Sequence, residues 1–138
     1  MKTSQVILVD MDGVIVDYNP ALHGTDTSVD FLSLSPIAGA IEAVRGLISM
    51  GHDVFIATTA PWDNPSAWTA KRLWIEANLP EMKKKIFMTH RKDMLMGDYL
   101  IDDRTANGAG EFKGTHIHFG QPGFPTWNSV LAYFESLT

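Results

Sequence analysis

The sequence predicts an α/β domain built on a three-layer, doubly wound parallel sheet. Three observations carry that expectation. Short apolar runs alternate with segments of helical periodicity along the 138 residues, the pattern of strands joined by helical crossovers. The runs are continuously apolar, as strands become when both faces of their sheet are covered. Polar residues cluster where the runs end, at Asp10, Thr58 and Asp102. In open α/β sheets the ligand crevice lies beyond the carboxyl ends of the strands.

The elements follow in order. Val6-Ile7-Leu8-Val9 is the first strand and stops at Asp10. Ser35-Pro36 reads as an N-cap followed by proline at the first helical position. The helix then runs from Ile37 to Met50, with Ile37, Ile41, Val44 and Ile48 on one face and Gly51 closing it. Val54 to Ala57 is the second strand, ending at Thr58-Thr59. Asn64-Pro65 opens a second helix that reaches Leu79 before Pro80. Ile86 to Met88 and Tyr99 to Ile101 are the third and fourth strands, the latter ending at Asp102-Asp103. Thr115 to Phe119 is a short fifth strand. Thr126 caps a last helix from Trp127 to Leu137, with Val130, Leu131, Phe134 and Leu137 on one face. Residues 1–138 are expected to form a single domain.

Hydrophobic residues make up 45% and charged residues 20% of the chain, which excludes disordered and collagen-like classes. There is no cysteine, so disulfides, thiol nucleophiles and cysteine-ligated metals are excluded. The formal charge of -5 argues against a broad nucleic-acid footprint. A basic patch from Lys71, Arg72 and Arg104 is the local exception. No apolar run approaches the roughly 20 residues of a membrane span. The four-residue run before Asp10 is too short for a signal peptide. The expected location is the cytoplasm.

Asp10-Met11-Asp12-Gly13 is the most informative stretch. Two carboxylates just off a buried strand repel each other in a low-dielectric site. A second pair, Asp102-Asp103, follows another buried strand. A hard divalent cation resolves that repulsion, and oxygen donors without cysteine fit Mg²⁺ best. Gly13 lets the backbone turn sharply after Asp12. A single aspartate at a strand end is usually a turn former. Two pairs, with the Thr58 hydroxyl at a third strand end, favour chemistry instead. Lys71 and Lys92 are candidates to offset that charge and to contact a phosphoryl group; either alone would read as a surface lysine. Lys83-Lys84-Lys85 reads as a solvated turn.

Asp10-x-Asp12-Gly13-Val14 resembles the first motif of the haloacid dehalogenase-like phosphohydrolases. Thr58 resembles their second motif, Lys92 the third and Asp102-Asp103 the fourth, in that order from Val6 to Arg104. Within that superfamily the chain is most similar to the 5′(3′)-deoxyribonucleotidases. Phe55 to Pro61 is similar to their second-motif strand and turn, Lys71-Arg72-Leu73-Trp74-Ile75 to the helix carrying a further phosphate-contacting lysine, and Tyr99 to Arg104 to their fourth motif. The resemblance implies a Rossmann-like core with a minimal cap or none. Those nucleotidases carry a sizeable helical cap after the first motif, whereas residues 18–35 here leave room only for a short loop in its place.

The resemblance also implies the chemistry: a Mg²⁺-dependent phosphate monoester hydrolase working through an aspartyl-phosphate. Asp10 is the implied nucleophile and Asp12 the acid and base. Asp10, the carbonyl of Asp12, and Asp102 are the implied metal ligands, with Asp103 behind them orienting Lys92. Thr58, Thr59, Lys71 and Lys92 are the implied phosphate contacts. The expected substrate is a small phosphorylated molecule, with a (deoxy)nucleotide first; a membrane or a long nucleic acid is not expected, and a homo-oligomer stays open. Alternatives are a capless phosphatase for another monoester or a macromolecule, and a phosphate-binding or signalling module that does not turn over. A receiver domain also uses acids, threonine and lysine, but its acidic residues and threonine come in a different order.

Tyr18, Phe31 and Trp62 follow the first two motifs and are either substrate readers or ordinary packing. Trp68, Trp74, Phe134 and most of the seven methionines are expected in the core. His116 and His118 share one face of a strand and read as sheet-edge residues before metal ligands. His23 is a candidate loop contact, and His90 has no assigned role.

Overall fold

A computed structural model describes residues 4–19 and 30–137. Five parallel strands form one sheet in the order β3-β2-β1-β4-β5. They are β1 (Val6–Val9), β2 (Asp53–Thr58), β3 (Ile86–Met88), β4 (Tyr99–Asp102) and β5 (Thr115–His118). From β1 the chain moves outward through β2 and β3, then crosses back to place β4 on the other side of β1. That reversal puts the switch point between β1 and β4, and both strands end in aspartates.

Among the described residues, three helices, α1 (Ala40–Ser49), α2 (Pro65–Asn78) and α3 (Trp127–Ser136), pack on one face of the sheet. Ile7 and Val9 of β1 face them, while Leu8 points the opposite way with Ala57, Leu100 and Phe112. Right-handed crossovers place the β3–β4 and β4–β5 connections on that second face. Each contains only a single-turn 3₁₀ helix, at Lys92–Met94 and Ala109–Glu111. The doubly wound, layered arrangement therefore holds, with a thin third layer.

The first helix begins later than the sequence predicted. Ile37 N–H donates to Ile15, Asp17 N–H donates to Ser35, and Pro36 bridges Val16. Residues 35–37 are therefore used to anchor the loop after β1, and α1 starts after Gly39, whose φ is +80°. Gly51, at φ +93°, ends α1 as expected. Pro65 opens α2 and Thr126 caps α3, its hydroxyl accepting from Ser129 N–H.

Some packing expectations change. Leu137 is exposed, and so are Met94 and Met96, while Met11 and Met82 are buried. Phe31 is core, in edge contact with Tyr18. Trp68 is only half-buried. Lys71 is fully buried and cannot belong to a surface basic patch. Lys83 and Lys84 are exposed, as a solvated turn requires. His23 and residues 20–29 of the cap-replacing loop lie outside the described residues. Among the described residues, no helix is long and apolar enough to cross a membrane.

Candidate active site

The loop after β1 is a tight, fixed turn. The N–H groups of Val14, Ile15 and Val16 converge on the Met11 carbonyl, and Gly13 N–H donates to Val16. The indole Nε1 of Trp127 donates to the Val14 carbonyl at 2.8 Å. Gly13 has φ +77°, and a Cβ there would collide with the Asp103 carboxylate. Glycine is thus required twice, by the backbone conformation and by the approach of Asp103. Asp10 N–H donates to Ile101, which joins the ends of β1 and β4.

Four aspartates and two lysines meet at this junction. Lys92 Nζ lies 3.0 Å from Asp10 Oδ1 and 2.6 Å from Asp102 Oδ2. Asp102 Oδ1 accepts from Arg104 N–H at 3.0 Å. Lys71 Nζ lies 2.8 Å from Asp12 Oδ2 and 3.2 Å from Thr58 Oγ1, with the Phe31 ring 5.2 Å away. All six of Asp10, Asp12, Thr58, Lys71, Lys92 and Asp102 are buried. Buried lysines need partners, and each here has carboxylate. Lys71 reaches its place because Ala67, Lys71, Trp74 and Ile75 form the buried stripe of α2.

Electrostatics follow from burial. Desolvation, reinforced by the charge on Asp10, pushes the Asp102 and Asp103 carboxyls up to about 7. Burial also raises Asp12, against the pull of Lys71. Burial alone would lower Lys92, but Asp10 and Asp102 outweigh it and hold its ammonium charged above the usual range. Among the described residues, two buried carboxylate oxygens, Asp12 Oδ1 and Asp103 Oδ1, have no hydrogen-bond partner. Asp10, Asp102 and Asp103 each bring an oxygen within 4.8 Å of the others. Orphaned oxygens and an all-carboxylate donor set fit a hard divalent cation such as Mg²⁺.

A cavity of about 270 Å³ opens above the junction. Asp10, Asp12, Thr59, Lys92 and Asp102 line it, together with Tyr18, Trp62, His90, Arg104 and Asn107. Thr58, Lys71 and Asp103 do not line it. The Thr58 hydroxyl accepts from Lys71, and the Thr59 hydroxyl donates to the Thr89 carbonyl at 2.6 Å. Lys92 pairs with Asp102, where the sequence reading set Asp103 beside it. The place of Lys71 on the stripe of Ala67, Trp74 and Ile75 was a readable signal of its burial, though not of its partner.

Two groups of residues take places that the sequence reading did not assign them. His90, Arg104 and Asn107 reach the cavity from loops without a recognisable pattern. His116 and His118 act behind the acidic pair: each Nε2 donates to a carbonyl at 3.0 Å, of Asp102 and of Asp103, and the rings stack at 5.1 Å. Burial lowers the His116 pKa, in keeping with a neutral, donating ring. Their alternation beside the Asp102 strand was the available clue.

Known proteins resemble this chain in both sequence and fold. The family model "5' nucleotidase, deoxy (Pyrimidine), cytosolic type C protein" matches residues 21–125. A protein of Vibrio phage KVP40, whose name places it among the 5'(3')-deoxyribonucleotidases, is 40% identical over 95% of this chain and 85% of its own length. The human cytosolic 5'(3')-deoxyribonucleotidase is 32% identical over 73% of this chain and 46% of its own. D,D-heptose 1.7-bisphosphate phosphatase from B. bronchiseptica, solved with magnesium and phosphate, superposes over 100% of both chains with a TM-score of 0.71 at 15% identity, a likeness of fold. The chain belongs to the 5'(3')-deoxyribonucleotidase family of phosphoric monoester hydrolases.

Proposed function

We propose that this protein hydrolyses nucleoside monophosphates, deoxynucleotides first among them, through an aspartyl-phosphate on Asp10. The convergence of Asp10, Asp12, Asp102 and Lys92 at the base of one cavity, with an Asp103 oxygen close behind Asp10 and Asp102, carries this reading. An Asp10 oxygen attacks phosphorus as the ester P–O bond breaks, splitting one hard displacement into two easier ones. Asp12, kept protonated more readily by its burial, gives its proton to the leaving oxygen. It then takes a proton from the water that attacks the phosphorus of the aspartyl-phosphate, and Asp10 and inorganic phosphate are released.

Lys71, itself bonded to the Thr58 hydroxyl, holds Asp12 from beneath, which is the role these contacts support in place of direct phosphate binding. Lys92 and the backbone around Thr59 hold the phosphoryl oxygens. Asp10, the Asp12 carbonyl, and the acidic pair would hold Mg²⁺. The unpartnered buried oxygen of Asp103 favours it as a ligand, and Asp102, which also accepts from Lys92 Nζ and Arg104 N–H, would anchor that lysine beside the ion. When bound, the cation neutralises charge on the phosphoryl group.

The test is phosphate release from a panel of nucleoside 5′- and 3′-monophosphates, sugar phosphates and a phosphopeptide, with and without Mg²⁺. Mg²⁺-dependent turnover of nucleotides that disappears in Asp10→Asn is expected. Full activity in Asp10→Asn overturns the mechanism, and turnover confined to the phosphopeptide or sugar esters overturns the nucleotidase reading.

A further inference from the structure

One wall of the cavity has no part in the chemistry above. Pro61 and Trp62 come from the turn after β2, and His90 from the turn after β3. The strand order sets these turns on one flank of Asp10, with Arg104 and Asn107, which follow β4, on the other. Trp62 is 75% exposed although it lines the cavity. Single exposed aromatics are common and need no explanation. This one differs because it is braced. Its ring meets Trp68 at 6.4 Å and His90 at 5.9 Å, and Trp68 meets His90 at 5.8 Å.

The two turns are also tied to each other and to α2. Trp68 Nε1 donates to the Pro61 carbonyl at 3.3 Å, and Asn64 N–H donates to the same oxygen. The Thr59 hydroxyl donates to Thr89, and Thr89 N–H donates back to Thr58. A large apolar surface held still beside a nucleophile binds a flat partner with little further ordering cost.

We propose that Trp62, braced by Trp68 and His90, is a specificity-determining residue that stacks on the base of the substrate's leaving group. The proposal rests on the nucleotidase reading of the same site and assigns base recognition to the β2 and β3 turns. Stacking reads a π-face and tolerates every base. The wall therefore separates esters that carry a base from those that lack one and does not rank the bases.

The experiment compares thymidine 5′-monophosphate with 2-deoxyribose 5-phosphate, which share the scissile ester and differ by the base. In Trp62→Ala the ratio of kcat/KM for the two esters falls about tenfold, chiefly through KM of the nucleotide. Trp62→Phe, which keeps an aromatic face, retains most of the ratio. An unchanged ratio in Trp62→Ala overturns the proposal. A second readout needs no turnover: in Mg²⁺, the nucleotide quenches tryptophan fluorescence of the wild type, the base-free ester does not, and Trp62→Ala loses the effect. Absence of that quenching also overturns the wall. Hydrolysis of neither ester by the wild type, with quenching intact, counts against the nucleotidase chemistry alone.

Discussion

Asp10, Asp12 and Asp102, on the floor of the cavity, are at most 7% exposed, and each is tied to a buried lysine. Trp62, on the rim of the same cavity, is 75% exposed and held by ring contacts. The floor is a set of mutually neutralising charges in a low-dielectric setting, so removing one member disturbs fold and chemistry together. The rim carries apolar surface that the fold does not need. Substitution there acts on what binds and leaves the scaffold alone. On the proposed function, the difference separates residues assigned to the reaction from residues assigned to selecting its substrate.

The sharpest break of that comparison is Asp10→Asn. Loss of the proposed nucleophile is expected to lower kcat by about three orders of magnitude or more, measured as phosphate release, with substrate binding retained. Next is Lys92→Met, which leaves Asp10 and Asp102 without their common cation. A buried pair broken on one side costs about 3–5 kcal/mol, read from urea unfolding. Mg²⁺ recovers part of that loss because it supplies positive charge to the same carboxylates.

The pH dependence of stability comes from the floor as well. In the metal-free protein the Asp102 and Asp103 carboxyls hold protons up to about 7, while the unfolded chain releases them near 4. Between those values the folded state binds more protons than the unfolded state, so stability falls as pH rises through the window. At the proposed site Mg²⁺ would bind the deprotonated carboxylates, so its stabilising effect is expected to grow with pH over the same range. Thermal unfolding from pH 4 to 8, with and without Mg²⁺, measures both slopes.

Smaller effects belong behind and above the floor. His116→Ala removes the donor to the Asp102 carbonyl and destabilises by about 1 kcal/mol, with Mg²⁺ affinity falling as the acidic loop loosens. Trp62→Ala changes stability by no more than about 0.5 kcal/mol, since the residue is on the surface. A large loss of stability in Trp62→Ala would erase the contrast between floor and rim.

The floor was legible in the sequence because its signals are local and chemically costly. Asp10-x-Asp12-Gly13 and Asp102-Asp103 each follow an apolar strand, and strand ends gather at one edge of a parallel sheet. Lys92 and Lys71 were found with them, yet their partners were not, because pairing depends on how far each element sinks into the fold. The strand limits were read to within about a residue or two. The start of α1 was misread because residues 35–37 are claimed by the loop after β1, a contact no local pattern encodes. The rim was only partly legible. Trp62 stood out as an aromatic beside the second motif, but its neighbours His90 and Trp68 converge from separate elements. Exposure of a lone ring carries no periodicity to read.

The most direct test of the account is acid quenching of the enzyme during turnover of a nucleotide, followed by borohydride trapping of any acyl phosphate and peptide mapping by mass spectrometry. The trapped acyl group is expected at Asp10, and with p-nitrophenyl phosphate, whose leaving group needs no acid, in amounts that rise in Asp12→Asn, where hydrolysis of the aspartyl-phosphate slows. Turnover with no trapped carboxylate in either protein, or trapping at Asp102 or Asp103, would contradict it.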